Sequence, residues 1–263
     1  MPDSKSHTAL PLVTIITATY NSEKTIHDTL VSVALQDYPR IEHLIIDGLS
    51  KDKTLDIVRQ YPHVSRIISE KDQGIYDAMN KGIQHATGDI IGILNSDDFY
   101  VAHDIISQVV KAMTEARAET LYGDLVYVHP DHTSKIIRTW IAGKFAPRKF
   151  LFGWMPPHPT FFVRKEVYQQ LGPFNTKLSS AADYELMLRF LYKARISVTY
   201  LQRVLVKMRA GGMSNASVFN RLRANREDRE AWRVNQLKPH FYTAILKPVR
   251  KLTQFLKKPN YTI

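Results

Sequence analysis

The chain contains no cysteine among its 263 residues. Disulfides, thiolate metal sites and cysteine nucleophiles are therefore excluded, and any bound metal must take oxygen or histidine ligands. Nowhere do apolar residues run for the roughly 18 to 20 positions that a membrane-spanning helix requires. The stretch Met1 to Leu10 is polar and lacks the apolar core of a signal peptide, so the protein is expected in the cytoplasm. Internal repeats and low-complexity segments are also absent. Acids are missing from the stretch Lys238 to Ile263, which holds Lys238, Lys247, Arg250, Lys251, Lys257 and Lys258. The whole chain carries a formal net charge of +11, which suits an acidic partner such as nucleic acid, an anionic membrane or a phosphorylated substrate. A nucleic-acid binder would be basic throughout. Here the N-terminal half is far better balanced, so the charge reads as a local device and no nucleic-acid partner is expected.

What is present patterns into alternating elements. Leu12 to Ala18 is a short β-branched run that reads as a buried strand. After the break at Tyr20-Asn21-Ser22, Ile26, Leu30, Val33 and Ala34 share one helical face. Glu42 to Asp47, Arg66 to Ser69, Ile90 to Leu94 and Leu121 to Val128 repeat the strand signal. Asp52 to Tyr61, Ile75 to His85 and Asp104 to Ala116 are spaced as helices. This alternation without hairpin signals is the signature of a mainly parallel α/β sheet flanked by helices. Ligands of such sheets bind beyond the carboxyl ends of the strands. Past about Pro130 the pattern changes. Lys135 to Trp140 is a strand candidate, and Phe145 to Pro159 is a loop rich in aromatics and proline. Tyr184 to Tyr192 is helical, and Ser197 to Met208 reads as one or two strands. Ser217 to Gln236 is a charged helix, and Phe241 to Phe255 a basic amphipathic stretch interrupted at Pro248.

Polar clusters fall at the strand ends. Asn95-Ser96-Asp97-Asp98 offers carboxylate and amide oxygens to Mg²⁺ or Mn²⁺, with positions left open for substrate phosphates; read alone, the tetrapeptide favours a turn with a helix cap, and its place at a strand end shifts the balance towards a site. Asp47 can accept a hydrogen bond from a base or ribose, or can simply stabilise its turn beside Gly48. In Asp72 to Gly82, Asp72 or Lys81 can approach nucleotide phosphates. The bland alternative is a helix cap at Asp72 and an exposed ion pair between Asp77 and Lys81.

In this order the pieces resemble glycosyltransferase family 2, the large GT-A-fold group. The resemblance rests on Thr17-Ala18-Thr19-Tyr20-Asn21, Ile46 to Thr54, Asp72 to Gly82, Ala86-Thr87-Gly88-Asp89 and Asn95 to Asp98. It covers about Pro11 to Ser214. The string Gly74 to Gly82 is similar to the bacterial branch that builds exopolysaccharide, lipopolysaccharide and capsule chains. Three departures stand out: Asn95 occupies the first position of the usual Asp-x-Asp motif, Gly48 replaces a second Asp, and Ala182 replaces a Glu before the candidate base.

The resemblance implies a GT-A (Rossmann-like) α/β fold. Residues 1–128 would form the nucleotide-sugar half, 129–215 the acceptor half, and 216–263 a basic helical extension. It implies an inverting transfer from a nucleotide-diphosphate sugar, UDP-linked before GDP-linked, to a glycan or lipid-linked acceptor. Thr17, Ala18, Tyr20, Asn21, Asp47, Asp72, Lys81, Asn95, Ser96 and Asp97 would bind the donor, and Asp97 and Asp98 the divalent metal. Asp183, at the head of the Asp183 to Arg189 match, would be the base; by itself it reads as a helix N-cap. Trp154 and His158 would face the acceptor, and Arg209 to Ser214 would close near the donor. The basic tail suits docking on an anionic membrane, which would place the enzyme peripherally on the cytoplasmic face of the inner membrane. A non-catalytic nucleotide-sugar-binding module and a nucleotidyltransferase are the competing readings. The latter lacks a Gly-rich basic loop after the first strand.

Overall fold

Every residue of the first strand, β1 (Val13–Thr19), is buried, as an unbroken β-branched run covered on both faces should be. The computed structural model describes residues 10–211, 218–243, 246 and 254. After β1 come α1 (Ile26–Ala34), β2 (Ile41–Asp47), α2 (Thr54–Val58), β3 (Val64–Ser69), α3 (Ile75–His85) and β4 (Ile90–Ile93). These strands pair in parallel in the order β3-β2-β1-β4. The helices match their apolar spacing, and α3 has the predicted bounds. One position governs how closely α3 approaches the sheet. A Cβ on Gly82 would lie 2.3 Å from Cγ2 of Ile16, so the helix can pack this tightly on β1 only through glycine.

The second half departs from simple alternation. β5 (Asp98–Tyr100), α4 (Ile105–Glu115), β6 (Thr120–Val128), β7 (Ile136–Trp140), β8 (Phe162–Arg164), α5 (Lys165–Leu171), α6 (Ala182–Met187), β9 (Val198–Arg209) and α7 (Val218–Val234) follow. The sheet continues β4-β8-β6-β9-β5, with β7 beside β6. β8 runs antiparallel between β4 and β6, and β9 returns parallel to β6. β5, β8 and α5 carry no separate signal in the sequence. Two of them are three-residue strands, too short to display a period.

The main core gathers Ile16, Met79, Ile91, Phe150, Trp154, Tyr184 and Trp232. Trp232 of α7 is fully buried and donates through Nε1 to the Tyr184 hydroxyl at 2.9 Å, which ties this helix to the main core. Most of the basic amphipathic stretch after Phe241 lies outside the described residues. At its start Tyr242 stacks on Phe152 and Thr243 Oγ1 donates to the Leu151 carbonyl at 2.6 Å. Farther on, Gln254 accepts the Thr139 N–H at 3.1 Å. Among the described residues no helix is long and apolar enough to cross a membrane.

Candidate active site

The loops after β1, β2 and β4 are stitched together where the parallel strands end. Asn21, with φ at 48°, accepts the Lys51 N–H at 2.8 Å and donates its own N–H to Ser50 Oγ at 2.8 Å. Ser22 donates its N–H to Thr54 Oγ1 at 2.7 Å and shares a 2.8 Å hydroxyl contact with Ser96. This frame leaves Tyr20 57% exposed. Asp47 is fully buried, and its carboxylate accepts Ser50 N–H and, at 2.6 Å, Ser69 Oγ–H. Asp72 closes the same corner. Its Oδ1 accepts the Gly74 N–H at 3.0 Å, and its Oδ2 occupies space that a Cβ on Gly48 would reach to within 2.4 Å. The side chain missing at position 48 thus makes room for the acid at position 72.

Asn95 to Asp98 form the turn from β4 into β5. Asp97 is partly exposed, and burial raises its carboxyl pKa against the opposing pull of Arg209. Asp98 is fully buried in β5. Burial, then the neighbouring Asp97, push its carboxyl well above the ordinary range, opposed by the Asn95 amide and Arg209. No donor stands in hydrogen-bonding geometry to either Asp98 oxygen or to Asn95 Oδ1 among the described residues. Arg209, from the end of β9, holds this turn in place. It donates through Nη1 to the Asp97 carbonyl at 2.9 Å and pairs through Nη2 with Asp28. Of the loop resembling the family's donor-closing segment, residues 212–214 lie outside the described residues.

Asp183 sits in the first turn of α6, while the N-cap position belongs to Ala181. Its Oδ1 accepts the Tyr76 hydroxyl at 3.2 Å and the Tyr184 N–H at 2.8 Å. Burial and the Asp183 charge keep the Tyr76 hydroxyl protonated, well above its ordinary pKa. The ring of Phe174 packs at 5.4 Å against Tyr76 and at 5.5 Å against His158. Burial lowers the His158 pKa, and the Asp183 charge only partly restores it. Tyr127 is partly buried in β6. Burial raises its pKa, Arg138 opposes the rise, and Asp98 and Asp183 both add to it. Arg138 lies 3.7 Å from the centre of the Tyr127 ring. The Asp98 and Asp183 carboxylates are thus both within electrostatic range of the Tyr127 hydroxyl.

Several expected site residues have other local commitments. Thr17 is fully buried, its hydroxyl 3.0 Å from His43 Nε2. Burial pushes His43 down to about 3, so it stays neutral. Ala18 faces the main core. Lys81 bridges Glu70 at 3.0 Å and Asp77 at 3.6 Å, the ion-pair arrangement its spacing allowed. Trp154 lies in the core, donating through Nε1 to the Ala142 carbonyl at 2.9 Å and packing on Tyr122 and Phe150. Its face is covered by protein, because the surrounding aromatics need a large apolar partner there. Sequence reasoning missed Tyr76, Tyr127 and Arg138 as site residues. An aromatic on an amphipathic helix or in a buried strand looks like core, and only the fold reveals its acidic neighbours.

The sequence model of glycosyl transferase family 2 matches residues 14–172. An uncharacterised glycosyltransferase of Mycobacterium tuberculosis is 34% identical over 186 residues, covering 69% of this chain and 70% of its own. A PGL/p-HBAD biosynthesis glycosyltransferase of Mycobacterium bovis is 29% identical over 216 residues, covering 80% and 82%. Among solved structures, Staphylococcus aureus TarS 1-349 in complex with UDP-GlcNAc superposes with a TM-score of 0.67 at 21% identity, covering 93% of this chain and 71% of that one. The mannosyltransferase PcManGT of Pyrobaculum calidifontis, in complex with GDP-Man and Mn2+, gives 0.64 at 21% identity, covering 91% and 69%. These neighbours establish the GT-A fold, and the sequence match assigns the protein: it is a glycosyltransferase belonging to glycosyl transferase family 2.

Proposed function

We propose that the protein moves a sugar from a nucleotide-diphosphate sugar to a hydroxyl of a glycan or lipid-linked acceptor, with inversion at the transferred carbon. The observation that carries this reading is the Asp183 carboxylate, held by the Tyr76 hydroxyl in the first turn of α6, in a fold whose acidic Asp97-Asp98 turn follows β4. A general base must reach the proton it removes and be held in place while it does so. Here the acceptor hydroxyl would give its proton to Asp183 as its oxygen attacks the sugar carbon from the face opposite the leaving diphosphate. The attack forms the new glycosidic bond as the bond to the diphosphate breaks, so no covalent enzyme intermediate is needed. Tyr76, kept protonated, orients the carboxylate.

The acidic turn fits a divalent cation. Its candidate ligands are all oxygens, and among the described residues Asn95 Oδ1 and both Asp98 oxygens have no hydrogen-bond partner. Among the described residues no group of three or more His, Asp or Glu converges on one point. The protein would therefore supply Asp97, backed by Asp98, and leave further positions to donor phosphates. Bound there, Mn²⁺ or Mg²⁺ would neutralise charge on the departing diphosphate. The names of the fold neighbours support both donor classes, since TarS was solved with UDP-GlcNAc and PcManGT with GDP-Man and Mn2+. The test is a panel of nucleotide sugars screened for binding and hydrolysis. Uridine donors should lead and guanosine donors follow, whereas a protein that binds donors but never hydrolyses or transfers them is a non-catalytic module.

The same proposal places the enzyme on the cytoplasmic face of the inner membrane, docked through its basic tail. Phe241 is 88% exposed and Phe152 45% exposed, close together through Tyr242. Each basic residue near an anionic surface contributes on the order of 1 kcal/mol. Full-length protein should co-sediment with vesicles containing anionic lipid, and less so at high salt. Protein ending at Gln236 should stay folded, bind donor nucleotide and lose the vesicles. Indifference of the full-length protein to such vesicles would exclude this docking.

A further inference from the structure

α7 reads from sequence as a charged, solvated helix, yet one of its acids reaches into the main body. Glu227 accepts four hydrogen bonds from the turn that leads into α6. Ser179 Oγ donates to Oε1 at 2.8 Å, and Ser180 N, Ser180 Oγ and Ala181 N donate to Oε2 at 2.7, 3.0 and 3.2 Å. Burial tends to raise the Glu227 pKa, but these donors outweigh it and hold the carboxyl below its ordinary value, so it is ionised. The N-cap residue, Ala181, has no side chain able to satisfy the amides of that turn. Position 182 is also an alanine, and it is fully buried.

The contacts continue on the far side of Asp183. Trp232 bonds the Tyr184 hydroxyl, and Asn235 Nδ2 donates to Glu185 Oε1 at 2.9 Å. Glu185 in turn pairs with Arg189, whose guanidinium binds the carbonyls of Gly172 and Pro173. α7 and the residue that follows it therefore hold the chain immediately before and immediately after Asp183, whose carboxylate accepts the Tyr76 hydroxyl.

We infer that Glu227 is a positioning residue for the base: supplied from α7, its carboxylate fixes the Ser179 to Ala181 turn and thereby the placement of Asp183. The inference rests on Asp183 being the base. Displacements of about 1 Å can cost on the order of 10²-fold in rate, which sets the scale expected for loss of this anchor.

The experiment compares Glu227→Gln, Glu227→Ala, Asp183→Asn and the double variant Asp183→Asn/Glu227→Gln in the full chain. It uses a donor found to turn over, and measures kcat, donor Kd and thermal midpoint. Gln keeps the shape and one acceptor oxygen, so Glu227→Gln folds even if the alanine variant does not. Expected for Glu227→Gln is a kcat reduced on the order of 10-fold or more, with donor Kd within about twofold on that same scale. The double variant should fall no further than Asp183→Asn alone, since residues acting as one unit are not additive. A Glu227→Gln enzyme with wild-type kcat, beside an impaired Asp183→Asn, overturns the positioning role and leaves the base assignment intact. So does a double variant whose losses simply multiply. An Asp183→Asn enzyme with full turnover overturns the base assignment and this inference with it.

Discussion

Asp183→Asn protein is expected to fold, to bind donor nucleotide as the wild type does, and to turn over on the order of 10²-fold more slowly or worse, the usual scale for losing a general base. The substitution is nearly isosteric. The amide oxygen can still accept from Tyr76 and from the Tyr184 N–H, both of which bond Oδ1. What disappears is the capacity to take a proton. Asp183 is not the N-cap of α6, because Ala181 holds that position and Glu227 satisfies the preceding amides. A capping role would instead show as lost thermal stability of about 1 kcal/mol with turnover preserved. The two readings thus separate cleanly when kcat and melting temperature are measured on one preparation. Product stereochemistry from an α-linked donor completes the check, since a single displacement yields the β-linked product.

Chelation should abolish transfer, Mn²⁺ or Mg²⁺ should restore it, and neither should rescue Asp97→Ala. Lewis-acid stabilisation of a leaving diphosphate is worth several kcal/mol, and each 1.4 kcal/mol is about tenfold in rate, so a loss of at least on the order of 10²-fold is expected. Asp97 is partly exposed and bonds its neighbours through its backbone carbonyl. The alanine variant should therefore keep its fold and its Arg209 contact. Full activity in excess chelator would remove the metal from the mechanism and leave Arg209 as a cation bonded to the turn. Asp98→Ala differs in kind. Its carboxyl is fully buried with raised pKa, so that variant probes β5 as much as any ligand.

The parallel half of the fold was legible because its elements are long enough to show a period. β1, β2 and α3 each announce themselves through seven or more residues of consistent pattern. β8 could not be read. Phe161 to Arg164 looks like more of an aromatic loop, and its insertion between β4 and β6 depends on partners far away in sequence. In the site the carboxylates were visible through the family resemblance, since Asp in a turn or at a helix start is common by itself. Their supporting groups were not. Tyr76 passes for a core aromatic of α3, and Glu227 for one more charge on a polar helix. Trp154 errs in the other direction, since an aromatic among prolines suggests a sugar-stacking surface and yet packs against Tyr122 and Phe150. Whether an aromatic faces solvent or core is decided by tertiary neighbours, not by composition.

The shared space of Gly48 and Asp72 has an evolutionary corollary. A Cβ at position 48 would lie 2.4 Å from Asp72 Oδ2, so the Asp72 carboxylate has to shift when position 48 gains a side chain, and the effects of changes at the two positions depend on each other. Homologues should accordingly divide into those with an acid at 48 and those with one at 72, with few carrying both.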